Sequence, residues 1–167
     1  MTKRNFVLIF TCFLVLAIAF SVFQYTSVNK PYKGYKLNII NSKTESSINA
    51  LDLTQTFGQA KTETIKDEML NEITNYIIPF TFKNSTDKTI DLHPEFYRLM
   101  HGEDMTQSID FIDDKTKKRV LSIPPDTIIH GKVIFTYNDN NVVKPLQLNI
   151  NDRKGMVINL FKIPVFE

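Results

Sequence analysis

His93, His101 and His130 are the only imidazoles in the chain, so a base or a nitrogen metal ligand is sought first among them. Asp91-Leu92-His93-Pro94-Glu95 spaces two carboxylates around one histidine. In a regular strand all three would share a face, as a metal site requires. Pro94 interrupts that alternation and points to a solvent-exposed loop instead. His101-Gly102-Glu103-Asp104 reads as a turn with polar tips. His130 precedes Gly131 at the start of a strand, a structural or edge position. A serine hydrolase places its nucleophile on a sharp, glycine-flanked turn, and none of Ser42, Ser46, Ser47, Ser85, Ser108 or Ser122 has such glycines. Asp110, Asp113 and Asp114 lack the spacing and central glycine of a calcium loop. Gly34, Gly58, Gly102, Gly131 and Gly155 are too dispersed to cradle a phosphate. The expectation is a non-enzyme with no catalytic, cofactor-binding or metal residue and no cofactor.

The single cysteine, Cys12, lies in an apolar run. The remaining chain can therefore hold no disulfide, thiolate nucleophile or cysteine-based zinc site, and an apolar core must stabilise it. Of the 20 Lys and Arg, Lys3, Arg4 and Lys30 lie in residues 1–30, which contain none of the 18 Asp and Glu. Everything beyond Lys30 is thus close to neutral, without the basic excess of a nucleic-acid binder. The one basic run, Lys115, Lys117, Lys118 and Arg119, follows Asp110, Asp113 and Asp114 and reads as a solvated loop of mixed charge. Its sharper reading is a patch for anionic lipid or wall polymer.

Phe6 to Phe23 contains no charge, a length close to the roughly 20 apolar residues that span a bilayer. Two cations before it and none within orient the N-terminus toward the cytoplasm and the chain after Gln24 outward. A removable signal has a shorter apolar region and a small-x-small exit. Ala17-Ile18-Ala19 provides such an exit, yet the run continues through Phe20, Val22 and Phe23. The expectation is an uncleaved anchor, with cleavage near Ala19 and secretion as the alternative. Attachment of lipid at Cys12 is a third reading, disfavoured by the preceding Ile9-Phe10-Thr11.

The elements behind this segment follow from periodicity. Residues 1–5 form a cytoplasmic tip, 6–23 the anchor, 24–46 a polar stalk with one short strand at Tyr35–Ile40, and 47–167 the outer domain. Thr62 to Glu72 reads as a short helix, since Ile65, Met69 and Ile73 recur four apart with Leu70 and Ile77 beside them. Tyr76, Ile78, Phe80 and Phe82 then alternate as a strand whose Pro79 demands a free edge or a bulge. Val120–Ile123 and Ile129–Tyr137 follow as strands, the latter with Val133, Phe135 and Tyr137 on one face. The polar loop Asn138–Asn141 ends that strand. Leu146, Leu148 and Ile150 alternate with Gln147 and Asn149 as a half-buried strand. Asn151–Gly155 reads as a hairpin loop closed by a glycine. Phe80, Phe82, Phe135, Leu148 and Phe161 are the expected large core residues. Short strands at this spacing predict a mainly β, antiparallel β-sandwich.

Three segments carry a resemblance to a known family. They are Ile78–Lys88, a strand entering a Lys-Asn and small-polar turn; Phe96-Tyr97-Arg98-Leu99; and Ile123–Phe135, with its Pro124-Pro125-Asp126 turn and Gly131-Lys132-Val133-Ile134-Phe135 strand. Residues Tyr76 to Phe161 resemble the immunoglobulin-like domain of unknown function found on membrane- or lipid-anchored surface proteins of Gram-positive bacteria. Asp126 stands where that family usually has glycine. The resemblance implies an immunoglobulin-like sandwich at the cell surface, and that family has no shared catalytic residue. With the apolar segment, it predicts a membrane-anchored extracytoplasmic binding or accessory domain engaging a protein partner. The alternative is a subunit of a membrane-spanning secretion, conjugation or wall-synthesis assembly.

Overall fold

The computed structural model describes residues 3–29, 34–66, 72–101, 104–105, 108–137 and 145–166, in helix α1 with the side chains of Thr11 and Phe13–Thr26. The chain divides into two units, Met1–Lys36 and Leu37–Glu167.

The first unit holds α1 (Lys3–Asn29). Its described apolar side chains, Phe13 through Phe23 among them, are exposed. Among the described residues no helix is long and apolar enough to cross a membrane. The reading of residues 6–23 as an anchor therefore rests on the sequence alone.

The second unit is built from strands: β1 (Lys36–Asn41), β2 (Ile48–Ala50), β3 (Leu53–Phe57), β4 (Lys61–Lys66), β5 (Glu72–Asn84), β6 (Ile90–Asp91), β7 (Tyr97–His101), β8 (Asp104–Met105), β9 (Ser108–Asp113), β10 (Ser122–Ile123), β11 (Thr127–Tyr137), β12 (Leu146–Lys154) and β13 (Val157–Phe166). One sheet has the order β1-β13-β12-β7-β8, and the other β2-β3-β5-β11-β9 with β4 also on β5. β6 and β10 form a separate small ladder.

The longest strand shows why the core forms where it does. Along β5, Thr74, Tyr76, Ile78, Phe80, Phe82 and Asn84 are all buried on one face, as period-2 alternation requires. β11 answers with buried Val133 and Phe135, and β12 with Leu146, Leu148 and Ile150. Aromatic rings join the two sheets. Tyr97 on β7 meets Phe111 on β9 edge-on at 5.0 Å and stacks on Phe82 of β5 at 6.3 Å. Such contacts stabilise beyond simple burial, which suits a domain without disulfides. Pro79 sits where the partner ladder slips: Gly58-Gln59-Ala60 face only Ile78 and Pro79 between the pairs Phe57↔Phe80 and Lys61↔Ile77. The Gly58 N–H donates to the Pro79 carbonyl at 2.9 Å, so the missing proline donor falls at this bulge.

Three sequence expectations are corrected. Lys61–Lys66 is a strand, not the start of a helix over Thr62–Glu72, and Glu72 already belongs to β5. Residues 67–71 of that expected helix lie outside the described residues. Ile65 and Ile73, eight residues apart, lie directly opposite each other in the antiparallel β4–β5 pair. Asn151–Lys154 remains in strand, and only Gly155-Met156 turns, with Gly155 at φ 62°. Residues 37–46, expected as stalk, include most of β1, which pairs with β13 in the second unit. The expected strand at Tyr35–Ile40 matches β1 closely, and the loop Asn138–Asn141 lies outside the described residues.

Candidate functional site

The groups first examined for chemistry do not converge. His93 Nδ1 is 3.2 Å from Glu95 Oε1 with both side chains exposed, while Asp91 precedes them in β6. Among the described residues no three His, Cys, Asp or Glu side chains could hold one metal ion. His130 is exposed, its Nδ1 3.0 Å from Thr81 Oγ1 across the β5–β11 pair. The basic run is a loop organised by Asp113, whose Oδ1 accepts the N–H groups of Lys115 at 2.7 Å and Thr116 at 2.6 Å. The Thr116 N–H is the main cause holding the Asp113 carboxyl below its ordinary range. Arg119 pairs with Asp110. The run is thus an exposed loop in which Arg119 is ion-paired and Asp113 holds the backbone.

A different set of residues shares a cleft of about 750 Å³, lined by the β2–β3 turn, the segment 86–93, Phe96, Tyr97 and the end of β12. That volume lies within the roughly 300–1,000 Å³ of ligand pockets. Each wall has a local cause. Ala50 pairs with Leu53, so Leu51-Asp52 forms a two-residue hairpin turn with φ 53° and 60°. Positive φ at both positions suits the twist of a hairpin. A leucine there is uncommon, and Leu51 is held by packing against the core.

The second wall is pinned by Asn84, which is wholly buried at the end of β5. Its Nδ2 reaches the carbonyls of Lys88 at 2.7 Å and of Ile123 and Pro124 at 3.0 Å. Its Oδ1 accepts the Thr86 N–H at 2.9 Å. The Lys-Asn turn seen in the sequence is therefore a clamp between β5 and β10 that shapes the cleft wall.

Polar groups occupy core-facing positions at the cleft, in Tyr97 and Asp152, and behind it, in Gln55. Gln55 lies between buried Leu53 and Phe57 and is itself fully buried. Its Nε2 donates to the Ala50 carbonyl at 2.7 Å, and its Oε1 accepts the Tyr97 hydroxyl at 3.1 Å. Burial, foremost, pushes the Tyr97 hydroxyl well above its ordinary range, which keeps it a donor. Asp152 continues the inward row Leu146, Leu148, Ile150 and is only 4 % exposed. The nearest cation is Lys154 Nζ, 3.9 Å from Asp152 Oδ2 and 3.3 Å from Asp52 Oδ1. At 3.9 Å the ammonium is beyond hydrogen-bond distance of Asp152.

The sequence reading missed Asp152 because it assigned residues 151–155 to a loop. The period-2 row from Leu146 carried the signal, since Asp152 falls on the same face. Gln55 and the Leu51-Asp52 turn had no such signal, as Leu-Asp lacks the Asn-Gly chemistry that marks such hairpins.

No family model and no curated protein matches this chain. Solved structures share its fold. An uncharacterized beta-sandwich protein from Clostridium difficile 630 superposes with a TM-score of 0.52 at 14% identity, covering 76% of this chain and 95% of its own. A functionally unknown protein from Listeria monocytogenes EGD-e reaches 0.54 at 13% identity, covering 72% of this chain and 81% of its own. The domain is a β-sandwich. Neither neighbour's description indicates an enzyme family, and at this identity the likeness concerns the fold alone.

Proposed function

We propose that this protein is a membrane-anchored, extracytoplasmic binding domain of immunoglobulin-like type that engages a protein partner at the cell surface. The observation behind the binding role is the cleft with a buried carboxylate, Asp152, on its floor. Concave sites with apolar walls and a few convergent polar groups are the usual form of a binding site. The anchor is argued from Phe6–Phe23 and its two preceding cations. The backbone of α1 continues from Lys3 to Asn29, about 40 Å at roughly 1.5 Å per residue. A helix that is apolar all round is buried in protein or in a membrane. Retention of the anchor is favoured over cleavage near Ala19 by the apolar run beyond that site.

The test uses the full chain in cells. The protein should sediment with membranes, externally added protease should remove the sandwich domain, and a photo-crosslinker at Asp87 should trap a discrete protein species. Exchange of residues 6–23 for an unrelated anchor should leave that crosslink intact. Its loss with the domain still displayed would favour a subunit of a membrane-spanning assembly. A protease-resistant domain on intact cells, or no discrete crosslinked species, would refute the proposal.

A further inference from the structure

Asp152 breaks the pattern of its strand. Three apolar residues precede it on the inward face, and the next inward position is a carboxylate that is 4 % exposed. A buried charge is tolerated where it is paired and hydrogen-bonded. A carboxylate has about four acceptor positions, and among the described residues Asp152 receives only the 3.9 Å approach of Lys154 Nζ. The Tyr97 hydroxyl, its neighbour on the cleft floor, is committed to Gln55.

The surroundings indicate which group could pair with Asp152 more closely than Lys154 does. Leu53, Leu92, Phe96 and Tyr97 provide apolar and aromatic walls to the same cleft. Such walls suit a methylene stem that carries a charged head, and aromatic faces attract a cation. Asp52, Asp87 and Asp91 also line the cleft, with Lys88, Arg153 and Lys154. The rim is thus nearly balanced in charge, and the depth of Asp152 distinguishes it from the other carboxylates. Lys154 marks the preferred sign. Its ammonium stands 3.3 Å from Asp52 Oδ1 and 3.9 Å from Asp152 Oδ2, beyond hydrogen-bond distance of the latter, and the side chain remains 57 % exposed. A metal ion is a poorer fit, because no three ligating side chains converge among the described residues.

We infer that the cleft receives a lysine or arginine side chain of a partner protein, whose cationic head pairs with Asp152 and displaces Lys154. The inference rests on the binding role proposed above and gives that partner its chemistry. Arginine has the better geometry for the site, since its planar fork can donate two parallel hydrogen bonds to one carboxylate.

The experiment is a titration of the full chain in detergent micelles with acetyl-Gly-Arg-Gly-amide, its lysine counterpart and its uncharged norleucine counterpart. Binding is followed by the amide NMR signals of residues lining the cleft. The arginine peptide should saturate those shifts at millimolar concentration, with the norleucine peptide at least 10-fold weaker. Asp152→Asn, which keeps the shape and removes the charge, should weaken arginine-peptide binding at least 10-fold. Lys154→Met should tighten it several-fold by removing the internal competitor. Should Asp152→Asn fail to fold, the Lys154→Met variant and the norleucine comparison still decide. Equal binding of the norleucine peptide, unchanged affinity in Lys154→Met, or no saturable response to either basic peptide would overturn the inference. So would a calcium titration that alone produced the cleft shifts. Because this assay is independent of cell location and native partner, the inference can fail while the binding role stands, and the reverse.

Discussion

Gly131→Ala isolates one close contact in the sandwich. A Cβ at Gly131 would lie 2.3 Å from the Ile112 carbonyl oxygen and 2.7 Å from Phe80 Cζ. Ordinary close carbon–oxygen contacts are about 3.3–3.6 Å, so β9 would have to move roughly 1 Å away from β11. The obstruction at Ile112 is backbone, and it lies within the β9–β11 ladder beside the Gly131↔Asp113 pair. The Phe80 ring has no easy retreat, since it stacks on Phe82 and meets Phe111 edge-on at 5.7 Å. Overpacking typically costs about 1–3 kcal/mol, and one weakened ladder bond adds about 1 kcal/mol. Reduced freedom of the unfolded chain returns about 0.4–1 kcal/mol. The expected net loss is about 2 kcal/mol. Two other glycines calibrate the measurement. At Gly58 an added Cβ would meet Pro79 at an ordinary 3.5 Å, so Gly58→Ala should change stability by less than about 0.5 kcal/mol. At Gly155 the space is open but φ is 62°, and alanine there should lose about 1 kcal/mol. The chain lacks tryptophan, so urea unfolding of the full chain in mild detergent is best followed by far-ultraviolet circular dichroism. The expected order of loss is Gly131, then Gly155, then Gly58. A Gly131→Ala protein within 0.5 kcal/mol of wild type would refute the close-approach reasoning.

Phe135 is fully buried between Val133 and Tyr137 on the inward face of β11. Phe135→Ala should lose about 3–5 kcal/mol in the same unfolding assay, against less than about 0.5 kcal/mol for Lys61→Ala on the exposed strand β4. The raised pKa of Tyr97 means that the unfolded chain releases this proton first as pH climbs. Its contribution is therefore complete below about pH 10 and declines above it by about 1.4 kcal/mol per pH unit. In Tyr97→Phe that part of the alkaline slope should be absent, and an unchanged slope between pH 10 and 12 would contradict the assignment. Asp126 has φ 48°, so Asp126→Gly should relieve strain and raise stability by up to about 1 kcal/mol. A lower unfolding midpoint for that variant would show that the aspartate is favoured at this turn.

Residue order along the chain was enough to establish the inward rows of β5, β11 and β12, because burial on one face of a strand imprints a period of two within a few residues. Phe80, Phe82, Phe135, Leu148 and Phe161 were accordingly legible as core. The positive φ at Gly155 could be read from its place in a hairpin, and the lone cysteine, Cys12, excluded a disulfide framework in the β-sandwich. Tertiary structure decided what depends on distant partners. Lys61–Lys66 is a strand because β5 lies beside it; its own spacing also fits a helix, and its exposed side chains carry no burial signal. Asp152 belongs to a strand because β13 continues past Ile150, whereas Asn-Asp-Arg-Lys-Gly read alone has the composition of a loop. The cleft joins residues 51–53, 86–97 and 152–154, and no local periodicity encodes their proximity. Only the folding of the two sheets onto one another brings Tyr97 and Asp152 from separate sequence positions into one cleft, with Gln55 behind the tyrosine hydroxyl.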